Sequence, residues 1–159
     1  MNMMIAALVA VTNAAVTTVT LTSDRASYDR KGGVAVLNGH VCLDDPEYQL
    51  RADRAIVRLE GTNELSKVVA LGHVAVTNGL RRAYGDRATY YRRTGLVVLD
   101  AGPETPAEVR DESGDEAQVL RGKKIRFWTG VEQVEVTEAW IEAPRSGATK
   151  VGVKGLLER

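Results

Sequence analysis

The chain is poor in the residues that would make its function easy to place. It has a single cysteine, Cys42, among 159 residues, so no internal disulfide can form and no second thiol exists for a zinc site or a redox pair. Neither sign of charge prevails: 21 Lys plus Arg face 21 Asp plus Glu. Without a global field to gather polyanions, nucleic acid is excluded as the expected partner. The apolar run Ile5–Val11 falls far short of the roughly 20 residues a spanning helix needs. No G-x-S-x-G elbow, G-x-x-x-x-G-K-[ST] loop or H-E-x-x-H pair occurs, so the chain is not read as an enzyme, and no cofactor or metal is expected. One Phe and two Trp leave the core to Val, Leu and Ala, and the separated Trp128 and Trp140 give no aromatic platform for a carbohydrate-binding jelly roll.

What is present is a repeat. Asp24-Arg25-Ala26, Asp53-Arg54-Ala55, Asp86-Arg87-Ala88 and the related Lys123-Lys124-Ile125 follow one another at spacings of 29, 33 and 37. Each copy continues as an alternating segment, a polar turn and a second alternating segment, and two of the second segments carry Gly39-His40-Val41 and Gly72-His73-Val74. Fifteen Gly, four Pro and runs of Val, Thr and Tyr suit strands better than helices. The period-two pattern puts Leu37, Val41, Leu43, Val74, Val76, Leu99 and Ile141 of the second strands on one face. Val57, Leu59, Tyr90, Ile125 and Phe127 of the first strands join them, with Ala26 and Tyr28 at the beginning of the series. Ala52, Gly85 and Gly122 precede the first strands, and their small size marks a corner. Strand pairs with one apolar face cannot bury it alone and must stack. The expected fold is therefore all-β, an elongated two-walled β jelly roll or solenoid with the stripe inside. Its end strands, near Val19–Thr22 and Val134–Ile141, are expected to be open edges.

The termini read differently. Met1–Ala15 is a short apolar run ending in small residues, but the first positive charge is Arg25, so residues 1–15 are either a removed secretory signal or a disordered leader. Residues 16–144 form the β domain, and residues 145–159 a flexible tail.

The run Val19-Thr20-Leu21-Thr22-Ser23-Asp24, the segment Gly33 to Val41 and Leu50-Arg51-Ala52-Asp53-Arg54-Ala55-Ile56-Val57 resemble the opening of the LptA/OstA-like lipopolysaccharide-transport family. Tyr84-Gly85-Asp86-Arg87-Ala88-Thr89-Tyr90 and Leu120-Arg121-Gly122-Lys123-Lys124-Ile125-Arg126-Phe127 resemble that family's recurrent G-D-x-hydrophobic-x-aromatic strand, so the resemblance runs from about Val16 to Pro144. It implies a half-open jelly roll, a β-taco, whose interior stripe shelters the acyl chains of lipopolysaccharide (LPS) without altering them. It further implies a periplasmic location, head-to-tail self-association and contact with like-folded components of the inner and outer membranes. The alternative is a structural β-solenoid scaffold that polymerises end to end around a closed core.

The remaining constellations have plainer readings. His40 and His73 occupy equivalent places without a recurring acidic or thiol partner and read as a polar position on the outer face, not as metal ligands. The carboxylates from Asp111 to Glu116 lack the D-x-D-x-D-G order of a calcium loop and read as a solvated hairpin loop. Arg81-Arg82, Arg92-Arg93 and Lys123-Lys124 read as a solvated rim, with lipid phosphates as the competing account. Cys42 falls opposite Val41 and Leu43 and reads as a small filler.

Overall fold

The computed structural model describes residues 4–12, 15–61 and 64–142, and among them it contains strands, turns and loops but no helix. One antiparallel sheet holds all thirteen strands. In chain order they are β1 (Met4–Thr12), β2 (Ala15–Ser23), β3 (Arg25–Asp29), β4 (Val34–Asp44), β5 (Gln49–Glu60), β6 (Glu64–Asn78) and β7 (Arg81–Tyr91). Then come β8 (Leu96–Asp100), β9 (Ala107–Asp111), β10 (Gln118–Gly122), β11 (Lys124–Trp128), β12 (Val131–Thr137) and β13 (Trp140–Glu142).

The long strands β4 to β7 pass through a corner and so belong to two walls. In the first wall β3 pairs with Val34–Asn38 of β4, and the order continues through the second half of β5, the first half of β6, the second half of β7, β8, β11 and β12. In the second wall β1 and β2 lead to the second half of β4 and the first half of β5. The second half of β6, the first half of β7, β9, β10 and β13 complete it.

The corner lies where the repeat predicts it. Ladder register shifts between Asn38 and Val41, between Arg51 and Arg54, and between Leu71 and Val74. Two successive left-handed residues turn β4 (Gly39 φ 79°, His40 φ 46°) and β6 (Gly72 φ 77°, His73 φ 46°). Glycine is required at the first of each pair: a Cβ on Gly72 would stand 2.6 Å from Asp53 Oδ2 and meets the same positive-φ penalty. Ala52, Gly85 and Gly122 each close the second-wall half just before the turning residue Asp53, Asp86 or Lys123.

Both inner faces are apolar, and their side chains fall in cross-strand rows. Beside the corner Leu37, Ala55, Ala70, Ala88, Leu99 and Ile125 lie in one cross-strand row, all buried. The next row outward is Val57, Val68, Tyr90, Val97 and Phe127. Across the gap Leu21, Leu43, Leu50, Val76, Ala83 and Val109 form the matching row of the second wall. Together these side chains fill the wedge between the walls, which meet at the corner.

One expected edge is not an edge. β1 runs beside β2 along its whole length, so Val19–Thr22 lies between β1 and β4. A continuous apolar run does not distinguish a strand from a leader by periodicity, which is why the sequence leaves Met4–Thr12 outside the sheet. At the far end β12 pairs only with β11 and β13 only with β10 among the described residues, so both are open there. Tyr28 has the inward register, opposite Ala35, but stands on the edge strand β3 and stays 47% exposed. The tail 145–159 lies outside the described residues.

Candidate functional site

The space between the walls is the candidate site. Leu37, Val41, Leu43, Val57, Val74, Val76, Tyr90, Leu99 and Ile125 are buried in one hydrophobic cluster, and Leu59 and Phe127 pack half-buried against it. The Ile141 side chain lies outside the described residues; its backbone stands opposite Leu120 in β10. The sequence missed Tyr48. It sits in the turn between β4 and β5, where the Asp45 side chain accepts from the Glu47 amide and the Asp45 amide donates to the Tyr48 carbonyl. That tight turn aims the Tyr48 ring inward, and only the Asp45-Pro46 turn signal could have pointed to it.

Opposite the corner the walls have free margins, and there the structure forms a mouth. Tyr48 of the second wall meets Tyr90 of the first edge-on, ring centroids 5.3 Å apart at 61°. Burial, then the hydrogen bond to Tyr90, pushes the Tyr48 hydroxyl far above its ordinary range, so this latch stays an uncharged phenol. Arg92, just past the end of β7, is half-buried, and its charge opposes that shift slightly.

Beside the latch is a cavity of about 60 Å³ between β6, β7 and β9 on one side and β11 and β12 on the other. Val76, Ala83, Val109, Phe127 and Val134 line its floor, and Asn78, Arg81, Arg82, Thr129 and Gln133 its rim. Room for a few waters is far less than an acyl chain needs, since each water takes roughly 10–15 Å³ by this measure. In this state apolar side chains of both walls occupy the space between them. Arg81 Nε donates to Asp111 Oδ2 at 2.9 Å on the rim. Burial would raise the Asp111 carboxyl, but the Ser113 hydroxyl and amide and the Arg81 guanidinium outweigh it and hold the pKa below the usual value.

The corner is stitched from outside. His40 Nδ1 lies 2.8 Å from Asp24 Oδ2, and His73 Nδ1 lies 2.7 Å from Asp53 Oδ2. An acidic partner therefore does recur with the histidines, contrary to the sequence reading: it comes from the D-R-A element that marks the repeat, Asp24 in the bend before β3 and Asp53 in β5. At the last corner the charges are exchanged, with Lys123 Nζ 3.8 Å from Glu138 Oε1. Hydrogen bonding to its aspartate, then the aspartate's charge, raises the pKa of each imidazole above the ordinary histidine value. Both rings are on the outer face, as expected, and among the described residues no group of three or more such side chains could hold a metal. Lys124 pairs with Asp100 at 3.5 Å, so Lys123 and Lys124 are both engaged outside the trough. Cys42 is a partly buried free thiol, and its cross-strand partner Arg51 is an exposed residue of the second wall.

A family model described as LptA/(LptD N-terminal domain) LPS transport protein matches residues 20–132, from β2 into β12. The chain belongs to that family. It is thus an LPS transport component of the LptA type. The fold also matches the crystal structure of LptH, described as the LptA-homologous periplasmic component of the LPS transport device of Pseudomonas aeruginosa. The TM-score is 0.65 at 23% identity, over 80% of this chain and 89% of that one. Comparison with curated proteins gives no match.

Proposed function

We propose that this LptA-family chain carries LPS across the periplasm by sheltering its acyl chains between the two walls. The observation that supports this most directly is the mouth: an apolar-floored opening between free sheet margins, opposite a corner held by side-chain pairs. Acyl chains enter there when the Tyr48–Tyr90 contact parts and the wedge widens about the corner. Each sheltered methylene gains about 0.8 kcal/mol, enough to offset separating the walls. Leu37, Val41, Leu43, Val57, Leu59, Val74, Val76, Tyr90, Leu99, Ile125, Phe127 and Ile141 form the lipid-facing stripe, and no residue is assigned a catalytic role.

Residues 16–144 act as the transport unit, Met1–Ala15 is a secretory signal or leader, and residues 145–159 form a tail. β12 and β13 of one copy add to β3 and, where Met1–Ala15 is removed as a signal, to β2 of the next, or to like-folded components at either membrane, by main-chain pairing. Mass analysis of lipid extracted from the purified chain tests the proposal. LPS recovered in stoichiometric amount is the expected result; a lipid-free protein that still polymerises would favour the end-to-end scaffold.

A further inference from the structure

We propose that the groove on the outer side of the third corner, between Tyr84, Asp86 and the loop 102–106, binds an organic cation, an alkylammonium or guanidinium group. The repeat itself points there. Arg25 pairs with Asn38, Arg54 with Leu71 and Arg87 with Asp100, and two residues further along each second strand stand His40, His73 and Gly102. At the first two corners the imidazole meets the aspartate of the D-R-A element, Asp24 or Asp53. The last corner has its own pair of opposite charges, Lys123 and Glu138. At the third, Gly102 brings no side chain. Asp86 is exposed and has no side-chain hydrogen bond or ion pair among the described residues.

Where the cation is missing there is room for one. Beyond Ala101 the chain leaves the ladder, and the loop 102–106, closed by the Gly102 amide donating to the Thr105 carbonyl at 2.9 Å, forms one side of a groove of about 600 Å³. Clefts of that size hold organic ligands. Ala75 and Tyr84 face each other across β6 and β7 on the outer side of the second wall and line the groove with Asp86 and Glu104. Tyr84 is 41% exposed, so its ring is open to a ligand. A carboxylate binds an ammonium or guanidinium ion by charge-assisted hydrogen bonds, and an aromatic ring binds it through its π face. His73, the basic residue of the lining, is bonded to Asp53 and acts on Asp86 only through space. Among the described residues no three such side chains are grouped to hold a metal ion, so the chemistry of the groove suits an organic cation. The groove lies outside the corner, away from the mouth and from the open edge strands. The inference therefore goes beyond the carrier reading and does not depend on it.

The test is nuclear magnetic resonance of the full chain, titrated at constant ionic strength with spermidine and, separately, with the capped tripeptide glycyl-arginyl-glycine. His73 lines the groove and His40 belongs to the first corner, so the two imidazole signals report site and control in one spectrum. At least one probe is expected to shift His73 with a dissociation constant on the order of millimolar while His40 stays in place. The tighter probe identifies the source of the cation as a free amine or a peptide side chain. Asp86→Asn should weaken binding about fivefold and Tyr84→Leu about threefold, whereas Asp24→Asn should leave it unchanged. Both groove side chains are exposed, so these variants keep the fold. No shift with either probe, equal shifts of His40 and His73, or full binding in Asp86→Asn would overturn the inference. Displacement of the probe by equimolar calcium would assign the groove to a metal ion and overturn it as well. None of these results bears on the carrier reading, which the lipid extraction tests separately.

Discussion

Gly72, His73 and Asp53 show how single residues make the corner. The left-handed pair Gly72-His73 turns β6, and the Asp53 carboxylate occupies the space a side chain on residue 72 would need. Gly72→Ala should therefore cost about 1–3 kcal/mol, from a strained φ and displacement of Asp53, read as a lowered unfolding midpoint; an unchanged midpoint would refute the assignment. The same carboxylate raises the pKa of the imidazole at residue 73. Its folded pKa is raised, so the pair's contribution is complete below the unfolded histidine value of about 6.5 and disappears as pH rises through the raised value. Because the ring is exposed, the change in stability is small, and nuclear magnetic resonance titration is the sharper measurement. His73 should titrate above the ordinary value and fall back toward it in Asp53→Asn, with His40 nearly unmoved. An unshifted His73 midpoint in Asp53→Asn would show that the pair does not form in solution.

At the scale of strands, what matters is which face each residue takes after the corner. Val74 points into the wedge at 1% exposure while its neighbour Ala75 faces outward. Val74→Asp should cost roughly 3 kcal/mol or more by burying an unpaired carboxylate, and Ala75→Asp well under 1 kcal/mol. Equal losses in urea unfolding would mean the register is wrong. Tyr48→Ala removes the contact joining the free margins, so lipid should load faster in stopped-flow mixing; slower or unchanged loading would place the entry elsewhere. The alternation that assigns Val57, Val74 and Leu99 to the core is legible in the sequence because period two is a local property. So is the corner, since Asp53 and Asp86 recur with small residues before them. The Tyr48–Tyr90 latch and the histidine–aspartate pairs were not legible, because each joins residues on different strands that only the fold brings together. β1 was not legible for a different reason: its continuous apolar run has no period to read.

For the molecule as a whole, the two long margins of the folded sheet are unequal. One is a continuous bent backbone stitched by ion pairs, and the other is a contact between side chains beside a small apolar cavity. Opening is thereby directed to one side, and a carrier built this way can be closed when empty and still admit lipid. The wall side chains that fill the wedge in this state are the same ones that would line it when the walls part. Balanced charge leaves the outer faces without a strong field, so selectivity resides in the mouth and the interior. The central claim, that LPS travels between the walls, is tested most directly by neighbours on opposite faces of one strand. A photo-crosslinking residue at Val57, which is fully buried, or at Phe127 should capture LPS in cells, while one at Ile56 on the outer face of β5, or at His73, should not. Equal capture at Val57 and Ile56, or capture at neither Val57 nor Phe127, would contradict the account.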